Sequence, residues 1–171
     1  ASVKLENQYR SKEFLTNYER LQKFLDASLL PIRRYLDPPK AKTFEPKDGL
    51  KKWIFDRKVM SGILDIKYGI REFVEAPYQD LFLIALASIL LEVSNAYRDG
   101  KSLKYRKNWQ ERNIKRRDVH DKFLLTLMER IFPDIENIQN FDHLVNNKTH
   151  CLKGDVRKRI KDLPDCFLDL V

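Results

Sequence analysis

Thirteen consecutive residues, Leu81-Phe-Leu-Ile-Ala-Leu-Ala-Ser-Ile-Leu-Leu-Glu-Val93, contain only two polar side chains, Ser88 and Glu92. As a helix this run is about 20 Å long, short of the hydrocarbon thickness of a bilayer. It therefore reads as the central helix of a water-exposed domain. Being apolar nearly all round, it is expected to be covered by flanking helices on most sides. Pro77 suits its first turn.

The run passes through Ser94-Asn95-Ala96-Tyr97 into the most charged part of the chain. Between Arg98 and Arg117 there are nine basic residues and two acidic ones, in a chain whose total net charge is +8. The nine are Arg98, Lys101, Lys104, Arg106, Lys107, Arg112, Lys115, Arg116 and Arg117. A sequence pI near 9.4 favours an anionic partner. Because the excess is local, nucleic acid ranks ahead of a membrane surface or an acidic protein. Tyr97, Tyr105 and Trp109 interleave with the cations, a combination that can pair phosphates and stack bases. The alternative for these aromatics is that they tuck into the core and leave a solvated charged connection.

The rest of the chain up to about residue 147 reads as helical. Phe14, Tyr18, Leu21 and Leu25 recur at helical spacing after Ser11, giving an amphipathic helix over 11–30. Pro31, Pro38 and Pro39 then make 31–47 loop or short turns. Asp48 is expected to restart a helix carrying Leu50, Trp53 and Ile54. A second stretch follows with Ile63, Ile66, Ile70 and Phe73 on one face, which Gly62 and Gly69 divide or bend. Asp118 is expected to cap a helix with Val119, Phe123, Leu127 and Ile131 inward, ended by Pro133. With only five glycines and seven prolines, the 171 residues suit neither disorder nor a turn-rich β protein, and suffice for one core.

Cys151 and Cys166, with His120, His143 and His150, show no metal-ligand spacing, so the thiols read as idle and the compartment as a reducing cytoplasm. No signal peptide, glycine-rich phosphate loop, nucleophile elbow or H-E-x-x-H is present. No catalytic constellation is visible.

The last twenty-odd residues change rhythm. Thr149-His-Cys-Leu152 is a short apolar stretch, followed by the turn Lys153-Gly154-Asp155, a basic helix from Val156 to about Asp162, Leu163-Pro164-Asp165, and the strand-like Cys166-Phe-Leu-Asp-Leu-Val171. Strand, Gly-Asp turn, short helix, strand is the pattern of an α/β sheet. The fold expected is mainly α: a helical bundle-like domain over 1–147, containing the basic segment 98–117, with a short C-terminal α/β (Rossmann-like) edge over 148–171. With no methionine at Ala1 and a sheet only begun at Val171, the chain reads as an internal piece of a larger protein.

Residues 153–171, with their Gly-Asp, Leu-Pro-Asp and Asp-Leu-Val, resemble the approach to the catalytic loop of bacterial S-adenosylmethionine-dependent DNA amino-methyltransferases (N6-adenine or N4-cytosine). In that family the pattern leads at once into a T-S-P-P-Y or D-P-P-Y loop. Leu81–Leu91, Ser94-Asn95 and the Gly100–Lys107 run are similar to a helical insertion that some members carry between the cofactor glycine motif and S-P-P-Y. The likeness extends from roughly Phe44 onward. It implies a transferase of the restriction-modification kind, with S-adenosylmethionine as cofactor and double-stranded DNA as substrate, the target base being flipped out of the duplex. It places Asp155 at the cofactor's adenine. Arg98, Lys101, Lys104, Tyr105, Arg106, Lys107, Arg112, Lys115, Arg116 and Arg117 become the DNA-contacting set, and the rest of the methyltransferase polypeptide becomes a partner. Neither the F-x-G-x-G loop nor S-P-P-Y is in the chain, so alone it is expected to be catalytically silent. Asp37-Pro38-Pro39-Lys40 does not supply the motif: Lys40 stands where an aromatic must stack the flipped base, and Ile32-Arg-Arg-Tyr-Leu36 is a poor buried strand. The competing readings are an autonomous helical nucleic-acid-binding module and an interaction domain for an acidic protein.

Overall fold

A computed structural model describes residues 9–27 and 43–141 of the chain. In order these form α1 (Ser11–Ala27), α2 (Arg57–Phe73), α3 (Tyr78–Val93), β1 (Ala96–Asp99), β2 (Ser102–Tyr105), a 3-10 turn (Trp109–Glu111), α4 (Arg116–Thr126), a π turn (Leu127–Ile131) and α5 (Phe132–Phe141). The described residues are mainly helical, with one two-stranded antiparallel sheet. The expected C-terminal α/β edge, Asp155 included, lies outside them.

Helix α2 is the hub, packing against α1, α3 and α4. The spacing in α1 works as expected: Phe14, Leu21 and Leu25 are buried. Phe82 of α3 meets Phe14 of α1 and Phe123 of α4, with ring centroids 5.3 and 6.4 Å apart. In α2, Ile63, Ile66 and Ile70 point inward, whereas Phe73 stays 39% exposed and stacks on Phe24 at 4.8 Å.

The two glycines of α2 neither divide nor end it. Each is a point of close approach. A Cβ on Gly62 would lie 2.8 Å from the carbonyl oxygen of Arg116 and 2.9 Å from Val119 Cβ, and one on Gly69 2.5 Å from Leu21 Cδ1. The obstacles at Gly62 cannot rotate away. Gly62→Ala is therefore expected to destabilise by about 1–3 kcal/mol through overpacking, partly offset by better helix propensity. A lower urea midpoint with an unchanged m-value checks this.

Three other expectations are corrected. Residues 48–56 are not helical. The amides of Ile54 and Phe55 donate to the carbonyls of Thr43 and Phe44 (both 2.9 Å), and Asn95 N–H donates to Ile54 O at 2.7 Å. These bonds tie the turns and bends of the segment to its neighbours, and α2 starts only after Asp56, whose carboxylate accepts from Trp53 Nε1 at 2.7 Å. Helix α4 begins before Asp118: Lys115 is its N-cap, and Lys115 N–H donates to the Asp118 carboxylate at 2.8 Å. Nor does Pro133 end the helical run. Its ring clashes with the carbonyl four residues back in a regular α-helix. The π turn 127–131, with Phe132 N–H bonded to Leu127 O, shifts the hydrogen-bond frame just before it, and helix continues to Phe141.

The central helix also differs from expectation. Leu81, Phe82, Ala85, Leu86, Ile89 and Val93 are buried, but Leu83, Ile84 and Leu91 are 41, 37 and 39% exposed, with Ala87 and Ser88 between them. Among the described residues, the cover lies on one side of the helix only. No helix among the described residues is long and apolar enough to cross a membrane.

Candidate nucleic-acid interface

Ser94 and Asn95 end α3 and aim the chain outward. Ser94 Oγ donates to Leu91 O at 2.8 Å and accepts from Ala96 N–H at 3.1 Å. Asn95 donates its backbone N–H to Ile54 O, accepts from Arg106 N–H at 2.9 Å, and donates its side-chain amide to Trp53 O at 3.3 Å. The buried pair thus joins the end of α3 to the 53–54 segment and to the far end of the hairpin.

Between Asn95 and Arg106 the chain forms a hairpin, not a helix or a loop. The register is Ala96↔Tyr105, Tyr97↔Lys104, Arg98↔Leu103 and Asp99↔Ser102, leaving Gly100-Lys101 as a two-residue turn. Gly100 has φ +56°, at the position where a II′ turn needs a positive φ and glycine supplies it without strain. Ser102 Oγ donates to Asp99 O at 3.2 Å, and an Asp99–Lys104 ion pair spans the strands. From Tyr97 to Lys104 every residue is exposed.

The cations singled out in the sequence fall into two groups. Arg112, Arg116 and Arg117 fasten the segment to the body. Arg112 donates to the carbonyls of Ser94 and, at 2.9 Å, Glu92 at the C-terminus of α3, where helix dipole and orphan carbonyls favour a cation. Burial, then the neighbouring Arg106 charge, lowers its pKa. Arg117 pairs with Asp26 at 2.6 Å and Asp121 at 2.9 Å; the Asp26 bond is the larger cause of its raised pKa. Arg106 reaches back to Leu91 O at 3.5 Å, and its buried Nε has no partner among the described residues. Arg98, Lys101, Lys107 and Lys115 are exposed and have no ion-pair partner among the described residues; Arg98 makes only a local 3.1 Å bond to Gly100 O. Lys104 is exposed and paired within the hairpin.

Arg116 belongs to a buried cluster. Asp65, on the inner side of α2 and fully buried, accepts from Arg116 Nε and Nη2 at 2.5 Å each and faces His120 Nε2 at 2.9 Å. A carboxylate only accepts, so Nε2 carries the hydrogen, and buried Nδ1 is left without a partner among the described residues. The one charge inside Ile63-Leu-Asp-Ile66 was the available sequence signal for this cluster.

The aromatics separate as well. Trp109 is buried edge-on to Trp53 at 4.9 Å, and Tyr105 leans on Trp109 at 5.7 Å with Lys52 over its ring at 5.4 Å. Tyr97 stays 38% exposed.

Elsewhere, a cavity of about 300 Å³ between α2 and α3 is lined by apolar side chains such as Phe44, Ile63, Leu86 and Leu90, with Lys67 beside them. Apart from the Lys67 amine it presents no acid, base or nucleophile. Among the described residues no three His, Cys, Asp or Glu side chains cluster as metal ligands. No family model, curated protein or solved structure matches this chain.

Proposed function

We propose that the chain is the DNA-gripping helical region of an amino-methyltransferase, with the hairpin Ala96–Tyr105 and the adjoining Lys107 as its contact element. One observation carries the reading: a two-stranded ribbon, exposed from Tyr97 to Lys104, presents Arg98 and Lys101 while the arginines behind it are spent as anchors. A two-stranded ribbon is narrow enough to enter a groove of the duplex, and cations set on it can neutralise phosphates. The methyltransferase assignment is supported by the pattern of residues 153–171, which lie outside the described part. The described residues hold none of the motifs that grip S-adenosylmethionine. In the proposed enzyme that cofactor, met in part by Asp155, supplies the methyl group. The rest of the polypeptide is the proposed cover for the apolar outer face of α3, at Leu83, Ile84 and Leu91.

The test removes two hairpin cations and the adjoining lysine together, Arg98→Ala, Lys101→Ala and Lys107→Ala, and compares this with losing three exposed cations on other elements, Lys12, Lys23 and Arg130. The hairpin triple is expected to flatten the slope of log K against log salt for duplex DNA by about 2.7, at 0.9 per phosphate contact, with the control near wild type. Equal effects would show that overall charge, and not the hairpin, binds DNA.

A further inference from the structure

We infer that Leu103 is an apolar wedge that enters between stacked base pairs when the hairpin meets a duplex; this rests on the DNA reading above. Leu103 is 63% exposed, the most exposed of the large apolar side chains among the described residues. It is the second residue of β2, directly across from Arg98 and two positions beyond Lys101 at the turn, with Lys104 next in sequence. Strand alternation puts Leu103, Arg98 and Tyr105 on one face of the ribbon and Tyr97 and Lys104 on the other.

The surroundings of this leucine decide what it fits. A purely apolar partner surface would have to desolvate the cations beside it, which is costly. A second copy of the hairpin would bring like charges together. Anionic lipid would accept the cations, but a single leucine buries too little apolar area to hold a protein there. A duplex offers both chemistries: phosphates outside and apolar stacked faces within. Leucine is among the side chains that proteins insert at base steps, unstacking them and bending the helix axis. The two-residue turn closes the strands tightly beside Leu103.

The experiment uses the full chain and a short duplex with 2-aminopurine at a central, easily unstacked TA step and a fluorophore at each end. Binding of the wild-type chain is expected to raise 2-aminopurine emission and shorten the end-to-end distance. Leu103→Ala, exposed and so neutral to the fold, is expected to keep the salt slope and lose both signals, while Leu103→Met restores them. If Leu103→Ala binds with the wild-type rise and bend, the wedge is refuted and the DNA reading stands. If the wild-type chain binds vesicles containing phosphatidylserine and no duplex, both are refuted.

Discussion

Asp65→Ala is expected to cost about 3–5 kcal/mol of folding stability, among the largest effects of any single substitution in this chain. Asp65 is fully buried and is the shared acceptor for Arg116, whose side chain is 25% exposed, and for His120, whose side chain is 3% exposed. Removing it takes the shared acceptor from a guanidinium and from a buried imidazole N–H in the α2–α4 interface. Uncompensated burial of such groups is what makes broken internal ion pairs costly. Asp65→Asn keeps the shape and one acceptor oxygen and should recover part of the loss. Urea unfolding followed by far-UV circular dichroism measures both; a wild-type midpoint for Asp65→Ala would mean that the cluster does not hold the two helices together.

The second large effect is Phe82→Ala, at about 3–5 kcal/mol, because the ring is fully buried between Phe14 and Phe123 and its removal leaves a cavity where three helices meet. Its sequence neighbour behaves oppositely. Leu83 is 41% exposed on the outer face of the same helix, and Leu83→Ala should shift stability by no more than about 0.5 kcal/mol. Equal losses at the two positions would contradict the one-sided burial of α3.

That one-sidedness was illegible in the sequence. An amphipathic helix announces its inner face by alternation, as Phe14, Leu21 and Leu25 do in α1. A helix apolar all round carries no such signal, and it read as covered on most sides. Helical spacing also misread Leu50, Trp53 and Ile54: the backbone hydrogen bonds of Ile54 and Phe55 run to Thr43, Phe44 and Asn95, which local spacing cannot reveal. The hairpin did leave a trace, Asp99-Gly100, but its strands are four residues each, and the density of Arg and Lys hid their alternation.

Charge counting found the basic segment and could not sort it. Arg116 and Lys101 contribute equally to a sum. Only the fold shows that one is paired with a buried carboxylate on α2 while the other stands at a turn in solvent. The same holds for the aromatics: Tyr97, Tyr105 and Trp109 looked alike, and two of the three are occupied by Lys52 and Trp53.

The central claim is that the exposed cations of the segment hold a duplex through its phosphates. Fluorescence anisotropy of a labelled duplex, titrated with the full chain at several salt concentrations, tests it most directly. Four phosphate contacts, from Arg98, Lys101, Lys107 and Lys115, predict a slope of log K against log salt of about −3.6. No binding at low salt, or an affinity indifferent to salt, would contradict the account.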